Sequence, residues 1–130
     1  MHEYPITERI VQVACREAAS HGQRKVRAID LVVGDDAGYV GDTIQLYFDL
    51  IAENTLCAGA VLKIRHIRPQ LQCPACGLHF ERRPFTFACP TCGVNGHPTA
   101  IGKEFYIESL TLEPAGPAGS DPWRIDHVPI

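Results

Sequence analysis

Two short cysteine pairs, Cys73-Pro-Ala-Cys76-Gly77 and Cys89-Pro-Thr-Cys92-Gly93, lie twelve residues apart, and four thiols at that spacing point to a metal site. A two-residue gap lets each pair close a tight turn on one tetrahedral ion. The following glycine supplies a positive φ and a close approach, so that backbone N–H groups can face the sulfurs. Proline after the first cysteine of each pair stiffens the turn. The spacing predicts zinc held structurally by Cys73, Cys76, Cys89 and Cys92.

A second set of metal ligands sits in the first three residues. The Met1 α-amine, the His2 backbone nitrogen and the His2 imidazole can close fused chelate rings around one ion, with Glu3 within reach. Deprotonated amide and imidazole nitrogens suit Ni(II) or Cu(II) rather than Ca²⁺ or Mg²⁺. By spacing alone the signal is weak, because a histidine near a terminus is usually just solvated.

Composition narrows the setting. With 130 residues, 45% of them hydrophobic, the chain suits one modest domain carrying a metal-stapled lobe, since the cysteine region has too few apolar residues to hold itself together. The formal charge of -3 becomes more negative once the four thiols are thiolates around Zn²⁺, which argues against a nucleic-acid partner. There is no eighteen-residue apolar run and hence no expected membrane span, and the N-terminus reads unlike a signal peptide. A cytoplasmic, reducing setting is expected. Cys15 and Cys57 show no pairing pattern and read as ordinary small side chains.

The elements that must position these groups follow from periodicity. Pro5 suits a first helical turn, and Ile6, Ile10, Val13, Ala14 and Ala18 recur at helical spacing until Gly22. A strand is predicted from Lys25 to Val33, and a second helix after Gly38, opened by an Asp42/Gln45 capping box, with Ile44, Tyr47, Phe48 and Ile51 on one face. A second strand runs from about Ala60 to Arg68, where Pro69 blocks further pairing. Phe105 and Ile107 alternate out of phase with Leu110 and Leu112, which predicts a final strand with a bulge at Ser109. After Glu113 the Pro/Gly-rich tail carries Trp123, Ile125 and Val128, which favours docking on this chain or on a neighbouring protomer, the latter giving a homodimer.

Met1-His2-Glu3 leading into an amphipathic helix, then strand, helix, strand, paired CPxCG knuckles and a final strand, resembles the HypA/HybF family of hydrogenase-maturation nickel metallochaperones over residues 1 to about 113. The segment Leu56-Cys57-Ala58-Gly59-Ala60 also looks like the family's entry into its second strand. The resemblance implies nickel ligation by His2, with Met1 and Glu3 assisting, and zinc on Cys73, Cys76, Cys89 and Cys92. Some members carry a carboxylate near the start of the second helix. That position is Val40 here, with Asp42 two residues on, so no acidic nickel ligand is expected from that loop. The implied partners are the GTPase HypB and the large subunit of a [NiFe] hydrogenase, with urease maturation a lesser possibility.

The sequence therefore predicts an α+β protein, two helices packed on a three-stranded sheet with an inserted zinc-ribbon-like lobe. The expected division is residues 1–68 plus 103–113 as a nickel-binding unit, 69–102 as a zinc-binding unit, and 114–130 as a tail. The expected function is nickel delivery by a non-enzyme. A rubredoxin-like iron electron carrier and a zinc-ribbon adaptor are the alternatives from other classes, because CPxCG pairs serve both. His79 and His97 flank the knuckles and read as solvated or outer-shell groups. His21 and His66 read as structural, and His127 belongs to the tail.

Overall fold

The computed structural model describes residues 3–114 and 123–130. Helix α1 (Glu3–Ser20) begins two residues before Pro5, which therefore lies in the first turn, where a missing N–H leaves no intrahelical bond unmade. Its buried face carries Thr7, Ile10, Val11, Val13, Ala14 and Ala18. At its other end His21 donates from Nδ1 to the Glu17 carbonyl at 2.7 Å, satisfying an orphan acceptor, and Gly22 turns the chain with φ of 93°.

Strand β1 (Val26–Gly34) is the middle of the main sheet and is largely buried. Helix α2 (Gly41–Ile51) carries the chain over to β2 (Val61–Ile67), which pairs parallel with β1. Strand β6 (Phe105–Leu112) pairs antiparallel with the opposite edge of β1. Asp30 faces Ser109 while Leu31 faces Ile107, so Glu108 is the extra residue of the expected bulge. Ser109, nearly inaccessible, donates its hydroxyl to Asp30 Oδ2 at 3.0 Å. Ile10, Ile29, Leu31, Ile44, Phe48, Ile107 and Leu110 pack the core between the two helices and the sheet.

Two expectations require correction. The Asp42/Gln45 capping box does not form. Helix α2 starts at Gly41, its N-cap position is Val40, and Val40 offers no side-chain cap. Asp42 is the second helical residue, where its charge suits the helix dipole. The sheet also has four strands rather than three, in the order β2-β1-β6-β7, because the tail supplies β7 (Trp123–Val128) antiparallel to β6. Trp123 anchors that strand. Its ring lies 3.3 Å beneath the Arg24 guanidinium carbon, with the His21 ring edge-on at 5.8 Å.

Between β2 and β6 the chain makes a second, three-stranded sheet, β4-β3-β5, from β3 (Gln70–Gln72), β4 (His79–Glu81) and β5 (His97–Pro98). Its buried cluster is only Leu71, Cys73, Phe80 and Cys89. This lobe meets the main sheet at a close backbone crossing, where a Cβ on Gly34 would lie 2.1 Å from the Gly102 carbonyl oxygen. A paired hydrogen bond from Arg82 to the Asp36 carboxylate, at 3.1 and 3.2 Å, also bridges them.

Candidate metal centre

Each cysteine pair folds as the sequence predicts. Gly77 N–H donates to the Cys73 carbonyl at 2.9 Å and Gly93 N–H to the Cys89 carbonyl at 2.8 Å. Both glycines have positive φ, 78° and 75°, which closes the turn. Cys73 and Cys89 accept N–H bonds on their sulfurs, from Cys76 at 3.5 Å and Thr91 at 3.4 Å. The two knuckles face each other, Cys76 and Cys89 bringing their Sγ atoms to 3.7 Å.

All four sulfurs lie within 4.8 Å of one another, the one such group of potential ligands among the described residues. A tetrahedron with Zn–S bonds of about 2.3 Å has sulfur–sulfur edges of about 3.8 Å, so the donor set and its spacing fit zinc. Proximity also splits the thiols' acidities. Backbone donation, chiefly from Cys76, lowers Cys73 to about 7, whereas hydrogen bonding with Cys76, then burial and the other sulfurs, pushes Cys92 up to about 12. The last protons leave a four-thiol cluster only when a cation replaces them, so metal binding here releases protons. His79 and His97 are exposed and stand outside the four-sulfur group.

At the other end, Met1 and His2 lie outside the described residues. Glu3 is buried at the first turn of α1, and its Oε2 accepts a hydrogen bond from Val40 N–H at 3.0 Å. The carboxylate is held down to about 2, first by the α-amine at the start of the chain and then by Val40 N–H. Tyr4 meets Tyr47 edge-to-face at 5.2 Å, a second tie between the first turn of α1 and helix α2. Glu3 thus stands at the N-terminus of α2, where a negative charge is favoured. Asp42 is exposed there, and Val40 brings no carboxylate, in keeping with the sequence reading.

Sequence reasoning missed the neighbours of this corner. His66 on β2 packs its ring so close to Gly41 that a Cβ there would lie 3.0 Å from Cε1 and Nε2, and its Nδ1 is 3.5 Å from Asp35 Oδ1. Only the parallel pairing of β2 with β1, which sets Gly34 opposite Ile67, brings His66 to the α2 start, and no local motif signals that. Cys15 and Cys57 likewise meet, Sγ to Sγ at 3.6 Å.

A four-sulfur lobe inserted into a small α+β sheet, with an anchored carboxylate at the head of α1, defines a two-helix, metal-handling protein rather than an isolated zinc ribbon. Residues 1–112 match the family model described as hydrogenase/urease nickel incorporation, metallochaperone, hypA, and the chain belongs to the HypA family. It is 40% identical over 116 residues to the hydrogenase maturation factor HypA of Caldanaerobacter subterraneus subsp. tengcongensis, covering 87% of this chain and 100% of that protein. It is 35% identical over 113 residues to the HypA of Dehalococcoides mccartyi, covering 87% and 95%. The fold is shared with the solution structure of a HypA protein, at TM-score 0.62 and 22% identity over 85% of this chain and 94% of the other. It is shared also with the Ni metallochaperone HypA from Helicobacter pylori, at TM-score 0.54 and 24% identity over 83% and 94%. Strand β7 lies beyond the residues matched by the family model.

Proposed function

We propose that this chain binds Ni(II) at its N-terminus and hands it on for the maturation of a [NiFe] hydrogenase. His2 supplies the imidazole, the Met1 amine and neighbouring backbone nitrogens complete a nitrogen set, and Glu3 assists. The observation that carries this reading is the match of residues 1–112, a span that includes Met1-His2-Glu3, to a nickel-incorporation family. The anchoring of Glu3 against α2 supports it, because a carboxylate held in place one residue after His2 lowers the cost of organising a ligand set.

Zinc on Cys73, Cys76, Cys89 and Cys92 supplies folding energy to a lobe whose small core is Leu71, Phe80 and two of the ligands themselves. In this reading residues 1–68 with 103–113 form the nickel unit and 69–102 the zinc unit, while the GTPase HypB and the hydrogenase large subunit are the partners. Nickel is cargo, no substrate bond is made or broken, and the chain is not an enzyme. Its place of work is the cytoplasm, a setting compatible with the lack of any helix, among the described residues, long and apolar enough to cross a membrane.

The test is a nickel titration with metal analysis on untagged wild type and His2→Ala. Stoichiometric nickel binding is lost in the variant while zinc content and circular dichroism stay unchanged. Equal nickel uptake by both proteins overturns the reading, and a red protein with iron in the lobe points to electron transfer instead.

A further inference from the structure

Cys15 and Cys57 are separated by 42 positions in the chain, yet their sulfurs are 3.6 Å apart, outside the zinc set. Cys15 is on α1 and partly exposed, whereas Cys57, in the turn after α2, has no accessible surface. Burial of Cys57, followed by the charge of its neighbour, pushes its thiol well above the usual range. A buried thiol that packs as a small apolar group needs no second sulfur against it. Here a partly exposed cysteine has its sulfur in contact with that of a fully buried one, the layout of a sensing thiol with its resolving partner.

We propose that this pair is a peroxide-modified dithiol that closes to a Cys15–Cys57 disulfide. The Cys15 thiolate attacks one oxygen of hydrogen peroxide or an alkyl hydroperoxide. The O–O bond breaks, the second oxygen leaves as water or alcohol after taking a proton, and Cys15 becomes a sulfenic acid. The Cys57 sulfur then attacks the Cys15 sulfur, the S–O bond breaks, and the hydroxyl leaves as water with the Cys57 proton. Two thiols lose two electrons to the peroxide.

The sulfurs must approach by roughly 1.5 Å to reach a bond of about 2.05 Å. Cys57 is in irregular chain rather than in a helix or strand, so that approach breaks no ladder. The closed loop encloses β1 and α2 and ties α1 covalently to the entry of β2. The proposal does not depend on nickel binding.

The test treats the full-length zinc-loaded protein with one equivalent of hydrogen peroxide, alkylates remaining thiols under denaturing conditions, and maps peptides without reduction. The expected result is a Cys15–Cys57 cross-linked peptide with zinc retained, reversed by dithiothreitol, and a melting temperature raised on the order of 10 °C. In Cys57→Ser the Cys15 sulfenic acid persists and is trapped by dimedone; in Cys15→Ser neither cross-link nor adduct forms. If Cys15→Ser fails to fold, the wild-type map and Cys57→Ser still decide. Full alkylation of Cys15 and Cys57 after peroxide treatment, with oxidation confined to the zinc cysteines, overturns the proposal.

Discussion

The Glu3 carboxylate accepts the Val40 N–H at 3.0 Å across 37 positions of sequence, so the first turn of α1 caps the N-terminus of α2. The cap that α2 lacks within its own sequence is supplied by the residue next to the candidate nickel ligand His2. Organisation of the chain's beginning and stability of the second helix are therefore one property.

Glu3→Ala removes this cap and lowers the melting temperature by a few degrees at neutral pH. The folded carboxylate titrates near 2 against an ordinary value of 4.5, so the depressed group stabilises the fold above about 4.5. That contribution fades as the pH falls from about 4.5 toward 2. Thermal melts of wild type and variant across this range should converge on acidification; a gap that stays constant with pH would mean that the Glu3 charge does not stabilise the fold.

If zinc holds the four cysteines as proposed, its removal should unfold the inserted lobe and leave the main sheet in place. The lobe buries only Leu71, Phe80 and two of its own ligands, and structural zinc contributes on the order of 10 kcal/mol in small metal-dependent folds. A strong chelator, or Cys76→Ser, should therefore melt residues 70–98 while α1, α2 and the main sheet persist. Limited proteolysis checks this: cleavage confined to the lobe is expected, and protection of the lobe without metal would show that it folds on its own.

The cysteine knuckles and the order of helices and strands were readable because each depends on local signals, namely the fixed CPxCG spacing, the 3.6-residue period of Ile10, Ala14 and Ala18, and the phase change at Ser109. The α2 cap was misread for a physical reason. Asp42 and Gln45 have the right spacing for a capping box, but the helix starts at Gly41, so Asp42 lies inside its first turn rather than at the N-cap, and the N–H of the N-cap residue Val40 is taken by Glu3. Cys15 against Cys57 and His66 against Gly41 were invisible because sheet pairing and helix packing, rather than spacing, bring them together. Residues 123–128 were obscured by the Pro and Gly around them. Their strand character is expressed only through pairing with β6.

Two glycines of similar appearance should respond in opposite ways. At Gly34 an added Cβ meets the Gly102 carbonyl oxygen at 2.1 Å, backbone against backbone at the crossing between the sheets, and only a shift of the lobe relieves it. Gly34→Ala should cost about 3 kcal/mol or more, in the range of severe overpacking. At Gly41 the obstacle is the half-exposed His66 ring at 3.0 Å, which can rotate away. Gly41→Ala should change stability by less than about 1 kcal/mol, helped by alanine's better helix propensity. Urea denaturation of both variants measures the contrast, and equal losses would mean that the crossing at Gly34 yields easily.

Strand β7 should matter more for the edge it covers than for the apolar area it buries. Val128 is buried opposite Ile107, whereas most of the strand is exposed, so ending the chain after Pro114 removes a modest hydrophobic contribution. It also removes the Trp123 ring from Arg24, an interaction worth about 0.5–2 kcal/mol. The larger consequence is that β6, between β1 and β7 in the intact sheet, becomes an unpaired edge with its N–H and C=O groups open to another strand. Truncation should lower stability by about 2–3 kcal/mol and produce concentration-dependent association, seen by light scattering, while zinc content stays unchanged. Trp123→Ala, which keeps the strand, should show the smaller stability loss without association. A truncated protein that is monomeric and as stable as the full chain would mean that β7 contributes neither packing nor protection, and that its pairing with β6 is incidental to the fold.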